Sequence, residues 1–528
     1  MKLMLTELRL PFELDYTELK SMAARKLGVS VNDFTAFKII KEAIDARRKP
    51  DISRVYSILA EIPEGRRFKK SDNVRIVQDE PEEPVIPGSV RLDGRPVVVG
   101  SGPAGIFAAL TLAGAGYRPI VLERGMAVED RATLVDIYWK GGVLDPECNV
   151  QFGEGGAGTF SDGKLTTRIN DRRCENVLRM YHEAGAPEEI LYRAKPHIGS
   201  DRLRQVVANM RRKVIELGGE VRFGAKVTSL SIHNGRVIGV AINGTEEIKA
   251  GAVVLAVGHS ARDTFASLLQ NGVTMVRKPF SIGVRIEHPQ EIINQTQYGR
   301  PDAAAILGAA DYQLFYKTGG RTAYTFCMCP GGVVVASASE PETIVTNGMS
   351  YFARDRENAN SAFVVSVGPE DFEGSHVLAG VEFQRLWEKK AYLAGGGMGA
   401  APVQRLGDFL NDRASTALVS IKPSYTGDTA LSDLNSCLPV SVTAAMKEAV
   451  PYFDRRLKGF SNADAILTGV ETRTSSPVRM VRGDSLEAVG IGGLYPAGEG
   501  AGYAGGIVSA AVDGMRVAEQ IIRTYAQP

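Results

Sequence analysis

The feature that most constrains this fold is a glycine loop set between a short apolar strand and an apolar helix. Val97-Val98-Val99 leads into Gly100-Ser101-Gly102-Pro103-Ala104-Gly105, and the apolar segment Ile106–Ala115 follows. With this spacing, the first glycine permits a tight turn, the second lets the backbone approach a diphosphate, and the third lets helix and strand pack closely. Ile120-Val121-Leu122 then supplies a second strand, and Glu123 ends it where a carboxylate would accept hydrogen bonds from a ribose diol. The segment predicts a dinucleotide site in a β-α-β unit.

Glycine is abundant along the whole chain, at 57 of 528 residues, against an average share of about 7%. The chain has neither a collagen-like period nor a long low-complexity tract, so we expect its glycines in turns, helix ends and ligand loops. The 62 basic and 61 acidic residues nearly cancel, which excludes a chain built as a whole to bind polyanions. Five cysteines, and the lack of an apolar run of membrane-spanning length, predict a cytoplasmic protein without a membrane segment.

Composition and periodicity divide the chain into an α/β architecture with several parts. The N-terminal segment has the pattern strand, helix, strand, strand, typical of a small ferredoxin-like α+β domain, and an acidic, proline-rich stretch follows it. Later segments alternate between strand-like and helix-like patterns, and glycine-rich sequence returns near the end. The predicted boundaries are 1–78 for the N-terminal domain, 79–92 for a linker, 93–275 and 461–528 for a discontinuous Rossmann-like domain, and 276–460 for an inserted α+β domain.

Two Asn-Gly pairs, at 234–235 and 243–244, predict a three-stranded β-meander. A helix from about Asp201, stopped by Gly218-Gly219, precedes the meander, and the buried strand Ala252–Val257 follows it and ends at Gly258. This order resembles FAD domains of the glutathione-reductase type and favours FAD over NAD as the resident dinucleotide.

A second glycine cluster occupies the loop Phe152–Leu165. Its glycines permit close approach of the backbone to a flat or phosphorylated ligand, and backbone N–H groups in such loops suit phosphates. A flexible surface loop without a ligand is the alternative. The candidate cofactor residues in this loop are Gly156, Gly158, Thr159 and Lys164.

Near the C-terminus, Gly493–Gly502 resembles the late strand and turn of such FAD domains, and Gly505-Gly506-Ile507 opens a last helix. Together with Gly100–Gly105, Phe152–Leu165 and Val254–Arg262, these segments resemble a bacterial family of uncharacterised NAD(P)/FAD-dependent oxidoreductases. The resemblance covers nearly the whole chain and implies FAD but names no substrate. Where the fold usually has Asp at the ribityl chain, this sequence has Glu499. The implied contacts are diphosphate at Gly100, Gly102, Pro103, Ala104 and Gly105, adenosine at Glu123, Arg124 and Val227, and flavin or ribityl groups near Gly258, Gly498, Glu499, Gly505, Gly506 and Ile507.

Several side chains are candidates for contact with a substrate. His259 follows Gly258 and could reach the flavin, although a loop histidine satisfied by its neighbours is the alternative. Arg473 could clamp a carboxylate, or could pair with a structural acid. Cys327 and Cys329 could form a redox pair, yet a disulfide across one intervening residue is strained. On a regular strand both would point to one face as packing thiols. Cys437 is equally open, and the six histidines lack metal-ligand spacing.

These features predict an FAD-dependent oxidoreductase that passes hydride or electrons through FAD between NAD(P)H, or an organic donor, and a small-molecule substrate. NAD(P)H would bind transiently, because the run Gly395–Gly399 follows a predicted helix and lacks the strand of a second nucleotide fold. A flavin-holding sensor without turnover is one alternative. An FAD-dependent RNA-modifying enzyme that docks RNA through 1–78 is the other. The basic residues of that segment carry no RNA-binding signature and predict a solvated face: Arg47, Arg48, Lys49, Arg66, Arg67, Lys69 and Lys70. The oligomeric state stays open.

Overall fold

A computed structural model describes residues 1–78 and 84–527. The first 78 residues form an antiparallel sheet with one helix on it, and the predicted strand-helix-strand-strand order is confirmed. Asp15 caps the helix, since its side chain accepts from the N–H of Thr17 at 2.9 Å. Residues 79–83 of the predicted linker lie outside the described residues. The elements are β1 (Lys2–Pro11), α1 (Tyr16–Leu27), β2 (Ala36–Arg48), β3 (Asp51–Glu61) and β4 (Val74–Ile76), in the sheet order β2-β3-β1-β4.

The middle of the chain builds a Rossmann-like layer and the meander. Both Asn-Gly turns form as predicted, with Asn234 at φ 49° and Asn243 at φ 52°, as two-residue hairpin turns require. The elements are β5 (Val97–Val99), α2 (Pro103–Gly114), β6 (Ile120–Leu122), α3 (Val128–Trp139), α4 (Arg173–Glu183), α5 (Ser200–Glu216), β7 (Glu220–Arg222), β8 (Val227–His233), β9 (Arg236–Ile242), β10 (Glu246–Lys249), β11 (Val253–Leu255), α6 (Arg262–Gln270) and β12 (Met275–Arg277).

The next segment folds around a seven-stranded sheet of order β14-β15-β18-β13-β21-β19-β20. Its elements are β13 (Phe280–Pro289), α7 (Gln290–Tyr298), α8 (Ala303–Leu307), β14 (Phe315–Lys317), β15 (Thr322–Cys329), β16 (Val333–Ala336), β17 (Thr346–Met349), β18 (Asn358–Val367), α9 (Ala379–Ala394), β19 (Ala401–Arg405), α10 (Leu406–Leu410), β20 (Thr429–Leu431), α11 (Val440–Arg456) and β21 (Ile466–Glu471). Because β21 pairs with β13 in this sheet, the second sheet extends past the predicted boundary at 460.

The chain then returns to the first layer with β22 (Val478–Met480), β23 (Leu494–Pro496) and α12 (Ile507–Thr524). The parallel sheet has the order β23-β11-β5-β6-β7, so a C-terminal strand completes a sheet begun at Val97. Helix α2 packs tightly between this sheet and α12. A Cβ added at Gly105 would lie 1.9 Å from the oxygen of Gly100, and one at Gly514 would lie 2.0 Å from the oxygen of Ala104.

Two local expectations have clear outcomes. The helix predicted from about Asp201 begins at Ser200, after Gly199, and the Asp201 carboxylate accepts from the N–H of Phe352 at 2.8 Å. The glycine run at 395–399 follows the end of α9, as predicted, with Gly395 as the C-cap. Across residues 1–78 and 84–527, no helix combines the length and apolar character needed to cross a membrane.

Candidate functional site

The three glycine segments meet at the carboxyl ends of the parallel strands. The N–H of Gly155 donates to the oxygen of Ser101 at 3.2 Å, and a Cβ added at Gly156 would lie 3.1 Å from the Cα of Gly102. The C-terminal segment closes on the same place, since a Cβ added at Gly498 would lie 2.6 Å from the Cβ of Ala104. The three segments in which the resemblance implies FAD contacts therefore lie next to one another in the fold.

Two helices begin at this convergence with free backbone donors. Helix α2 starts after Gly102 and α12 starts after Gly506, and neither receives a side-chain cap from the described residues. The first N–H groups of a helix carry positive charge and lack partners within the helix. Gly505 and Gly506 are both exposed. The pair of helix starts is suited to a ligand that carries phosphate at one point and delocalised negative charge at another.

Glu123 ties the first two glycine segments together. One carboxylate oxygen accepts from the N–H and the hydroxyl of Ser101 at 2.9 and 2.8 Å. The other accepts from the N–H groups of Gly125 and Gly153, both at 3.0 Å. A carboxylate has about four lone-pair sites, and these bonds use them all. The predicted contact with a ribose diol stays a prediction, and it requires the exchange of one of these bonds.

The second glycine loop is held by a buried arginine that the sequence analysis did not identify. Arg131 in α3 is completely buried. Its guanidinium donates to the backbone oxygens of Asn149 at 2.9 Å, Val150 at 3.0 Å and Gly153 at 3.1 Å, and also to Glu154. Burial lowers its pKa to about 10, so the side chain remains charged at neutral pH. Its neighbours in the sequence include Glu129 and Asp130 and give no sign of this burial.

Within that loop the candidate residues divide between the interior and the cleft. Thr159 is buried and donates to the oxygen of Glu154 at 3.1 Å, so its hydroxyl serves the loop itself. Gly158 lies against Ile507, whose side chain would be 3.4 Å from an added Cβ. The Lys164 ammonium donates to the oxygen of Met328 in β15. The loop therefore contacts both the start of α12 and the second sheet.

The C-terminal turn has its own anchor, also absent from the sequence-based expectations. Asp513 in α12 accepts from the N–H of Gly498 at 2.7 Å and pairs with Arg482 at 2.6 Å. Arg482 also donates to the oxygen of Pro496 at 2.7 Å. Asp513, 15 positions after Gly498, therefore holds the turn that carries Glu499.

The predicted adenosine end is a cavity of about 450 Å³ beside the ends of β6 and β8. Arg124 lines it and is half-buried, with both terminal nitrogens on Asp263 at 2.9 Å and its guanidinium 4.1 Å from the ring centre of Phe152. Val227 is buried at the start of β8, next to the lining residue Thr228. The carboxylates of Glu147 and Asp263 neutralise Arg124, so this cavity suits an uncharged ring better than a phosphate.

Titratable groups with shifted pKa values gather where the second sheet meets the glycine segments. Burial raises the pKa of Glu499 to about 7, and Lys278 opposes that rise. Burial likewise lowers the pKa of Lys278. His259 is half-buried, its ring contacts the hydroxyl of Ser260 at 3.0 Å, and burial lowers its pKa to about 4. His259 is therefore neutral at pH 7. Such shifted groups in a cleft are characteristic of functional sites.

Arg473 pairs with a structural acid, the second of the two roles considered for it in the sequence analysis. It is buried, donates to the carboxylate of Glu388 at 3.1 and 3.0 Å, and also bonds the hydroxyl of Ser339. Glu388 is completely buried and pairs in addition with Arg262 at 2.6 Å. With its guanidinium engaged on this acid, Arg473 is not placed to clamp a substrate carboxylate.

The cysteines differ sharply in their surroundings. Cys437 is buried, and burial raises its pKa to about 12, so it is a packing residue. Cys329 is also completely buried, whereas Cys327 is partly exposed. The strand is not regular at this pair, so the condition for two packing thiols on one face is not met. β15 carries a bulge between Phe326 and Cys329 where it pairs with β18, and Cys327 has φ 44°.

Gly258 and Gly500 also contact each other: a Cβ at Gly500 would lie 2.4 Å from the oxygen of Gly258, which itself has φ 76°. The turn before His259 is thereby fixed against the C-terminal glycine segment. Within the described ranges, no group of three or more His, Cys, Asp or Glu side chains is arranged to hold a metal ion.

Three segments of the chain match models of known protein families. Residues 279–474 match the family described as FAD-dependent protein, C-terminal domain-like, and residues 199–349 match that described as FAD dependent oxidoreductase. Residues 2–61 match a domain of unknown function. The chain is 50% identical over 533 residues, covering 100% of both chains, to an uncharacterized protein of Clostridium beijerinckii.

Among solved structures, the chain is similar to a triple mutant of the flavin-dependent brominase Bmp2, with 13% identity, 81% and 80% of the two chains covered and a TM-score of 0.37. It is also similar to L-proline dehydrogenase from P. horikoshii, with 14% identity, 83% and 94% coverage and a TM-score of 0.35. CtdE in complex with FAD matches at 12% identity, 81% and 83% coverage and a TM-score of 0.31.

Proposed function

The chain belongs to a family of FAD-dependent oxidoreductases, and on that premise we propose that it transfers hydride or electrons between a nicotinamide or organic donor and a small-molecule substrate. The cofactor is FAD. The observation that carries the proposal is the meeting of three glycine segments beside the titratable side chains of Glu499, His259 and Lys278. Clefts between domains are favoured ligand sites.

The residues present fit this cofactor. Gly102 and Gly156 leave a cradle without side chains beside the uncapped start of α2, which suits a diphosphate. The cavity next to Arg124 and Val227 suits an uncharged adenine ring. Gly498, Gly506 and Ile507 form the third side, at the start of α12. When bound, FAD supplies the electron-carrying isoalloxazine ring.

We call the place where the second sheet meets the glycine segments the junction. The protein's own side chains control the charge there. Glu499 is near its titration point at neutral pH, because burial raises its pKa to about 7, so it can hold or release a proton there. His259 stays uncharged, since burial lowers its pKa to about 4, and could donate or accept one hydrogen bond. The N-terminal N–H groups of α12 favour negative charge nearby. These groups would orient a substrate and stabilise charge that develops beside the cofactor.

The proposal is tested on the purified full-length protein under anaerobic conditions. We expect flavin absorbance, its bleaching by NADH or NADPH, and its return when a small electron acceptor is added. A yellow protein that neither nicotinamide nor an organic donor can bleach would support the flavin-holding sensor instead.

The RNA-docking alternative receives no support from the N-terminal segment. Arg47 pairs with Asp45 and Arg66 pairs with Asp33, each at 2.7 Å. Lys49 donates to the oxygen of Thr296 in the body of the protein. Three of the basic residues thus serve local or domain contacts, and we do not propose a nucleic-acid partner.

A further inference from the structure

The bulge in β15 places Cys327 at the centre of the junction. Cys327 is partly exposed, whereas Cys329 beneath it is completely buried. Bulges of this kind re-aim a side chain and are frequent beside active sites. Lys164 extends from the second glycine loop to this strand. Its ammonium donates to the backbone oxygen of Met328, the residue after Cys327. Arg285 in β13 donates to the backbone oxygen of Cys327 itself at 2.9 Å.

These neighbours favour the ionised form of the Cys327 thiol. The Cys329 thiol donates to the backbone oxygen of Cys327 at 3.3 Å. As a nearby donor, and together with Lys164 and Arg285, it lowers the pKa of the Cys327 thiol to about 5 against the effect of burial. The same contact raises the pKa of Cys329, which keeps its proton. Other charged groups act on Cys327 from the elements packed around it: Asp162 from the second glycine loop, Glu471 from β21 and Glu499 from the C-terminal turn. A partly exposed thiolate next to a buried, protonated thiol is the arrangement that thiol–disulfide exchange requires.

We propose that Cys327 and Cys329 form a thiol–disulfide exchange site whose substrate is a small disulfide. The Cys327 thiolate attacks one sulfur of R–S–S–R, so that a Cys327–S–S–R bond forms and the substrate bond breaks, releasing RS⁻. Cys329 gives its proton to RS⁻ and attacks the Cys327 sulfur, which releases the second RS⁻. The two cysteines are oxidised to a disulfide, and the substrate is reduced by two electrons to RSH and RS⁻.

The one-residue spacing of Cys327 and Cys329 suits a disulfide that forms only transiently. A disulfide across one intervening residue is strained and easily reduced, which suits an intermediate better than a structural crosslink. For repeated turnover, this inference rests on the proposed function, because reduced nicotinamide is the donor class that would restore the two thiols. The exchange step itself does not depend on it.

The test uses dithiobis(nitrobenzoate), an aromatic disulfide, and the full-length holoprotein. Cys174 lies apart from the junction, in α4, and is partly exposed, so its replacement, Cys174→Ser, gives the parent protein. At about pH 6 a thiol of pKa about 5 is mostly ionised, whereas one of pKa 9 is ionised to about one part in a thousand. The lower nucleophilicity of the acidic thiolate offsets part of this advantage. We expect Cys327 to react about tenfold faster than an ordinary thiol.

The parent should release two equivalents of thionitrobenzoate in the fast phase, one for each sulfur displaced. Adding Cys327→Ser should abolish that phase. Cys329→Ser should leave one equivalent with the low-pH profile kept, because a hydroxyl still donates, whereas Cys329→Ala should leave one equivalent with the profile moved to higher pH. Retained FAD absorbance shows that each variant is folded, and peptide mass mapping of the briefly treated parent should find the label on Cys327.

Three results would overturn the proposal: no fast phase in the parent at about pH 6, a fast phase that survives Cys327→Ser, or only one equivalent released by the parent. Each is independent of nicotinamide oxidation. A parent that exchanges disulfide but is not reduced by NADH or NADPH refutes the nicotinamide donor and leaves the exchange site standing. The reverse outcome refutes the exchange site alone.

Discussion

The second and third glycines of the first loop should fail in opposite ways when a methyl group is added. A Cβ at Gly105 would lie 1.9 Å from the oxygen of Gly100, which is backbone and cannot rotate away. A Cβ at Gly102 meets only the Cα of Gly156, at an ordinary contact distance of 3.7 Å. Gly102 has φ −67° and ψ −178°, a conformation that alanine adopts freely before proline. Of the two substitutions, only Gly105→Ala clashes with the protein's own atoms.

We therefore expect Gly105→Ala to destabilise the folded chain by about 1–3 kcal/mol, the usual cost of overpacking. For Gly102→Ala, the weaker helix cap costs a few tenths to about 1 kcal/mol, and the lower entropy of the unfolded chain offsets about 0.4–1 kcal/mol. The net change in stability should be small. The methyl group does occupy the cradle where a diphosphate would approach, and a clash of about 1.4 kcal/mol or more there weakens FAD binding at least tenfold.

The assay compares thermal unfolding of the FAD-free proteins with FAD titrations followed by flavin fluorescence. Gly102→Ala should unfold like the unmodified protein and bind FAD more weakly, while Gly105→Ala should unfold at a lower temperature. Gly114→Ala, in the same helix, should leave both readings close to normal or slightly improved. The reasoning is refuted if Gly102→Ala binds FAD normally, or if its unfolding temperature falls as far as that of Gly105→Ala.

Three further predictions concern buried charges. Glu388→Ala leaves the charges of Arg262 and Arg473 without their shared partner and should cost about 3–5 kcal/mol of stability in unfolding experiments, whereas Glu382→Ala, on the exposed side of the same helix, should cost less than about 1 kcal/mol. Arg131→Met removes the clamp on the second glycine loop and should lower FAD retention during gel filtration. The pKa of Glu499 is raised to about 7 from an ordinary 4.5, so the folded FAD-free protein favours the neutral acid. The stability that the neutral acid contributes is therefore complete below pH 4.5 and is lost as pH rises through 7. Glu499→Gln should therefore stabilise the FAD-free protein at pH 8, by at most about 3 kcal/mol, and change little at pH 4.5; equal effects at both pH values would contradict that pKa.

Local signals account for what the sequence could predict. The β5–glycine–α2 unit needs only neighbouring residues: Gly100 takes φ 99° and Gly105 allows contact with the strand. The two Asn-Gly turns are equally local, and FAD follows from the order of these parts. The bulge at Cys327 has no such signal, because it depends on the pairing of β15 with β18.

The charge pairs around the site could not be predicted from the sequence, because they too depend on contacts between distant parts of the chain. Arg285 and Glu471 are 186 positions apart, yet the guanidinium and carboxylate are 2.5 Å apart on adjacent strands. No spacing rule connects residues at that separation, and a buried arginine cannot be told from an exposed one by its neighbours in the sequence. Of the two roles open to Arg473, the pairing with a structural acid is the one present, and its partner Glu388 lies in another element, 85 positions away.

The chemistry of Cys327 depends on the assembly of both layers. Lys164 belongs to a glycine loop of the first layer, whereas Arg285 and Cys329 belong to the second sheet. Neither layer alone supplies all three groups that favour the thiolate. Because the Lys164 ammonium is fixed to β15 only when the glycine loop is ordered, and Arg131 orders that loop, a change that loosens the loop should also raise the pKa of Cys327. The same contacts that shape the FAD cradle thereby set the reactivity of the thiol beside it.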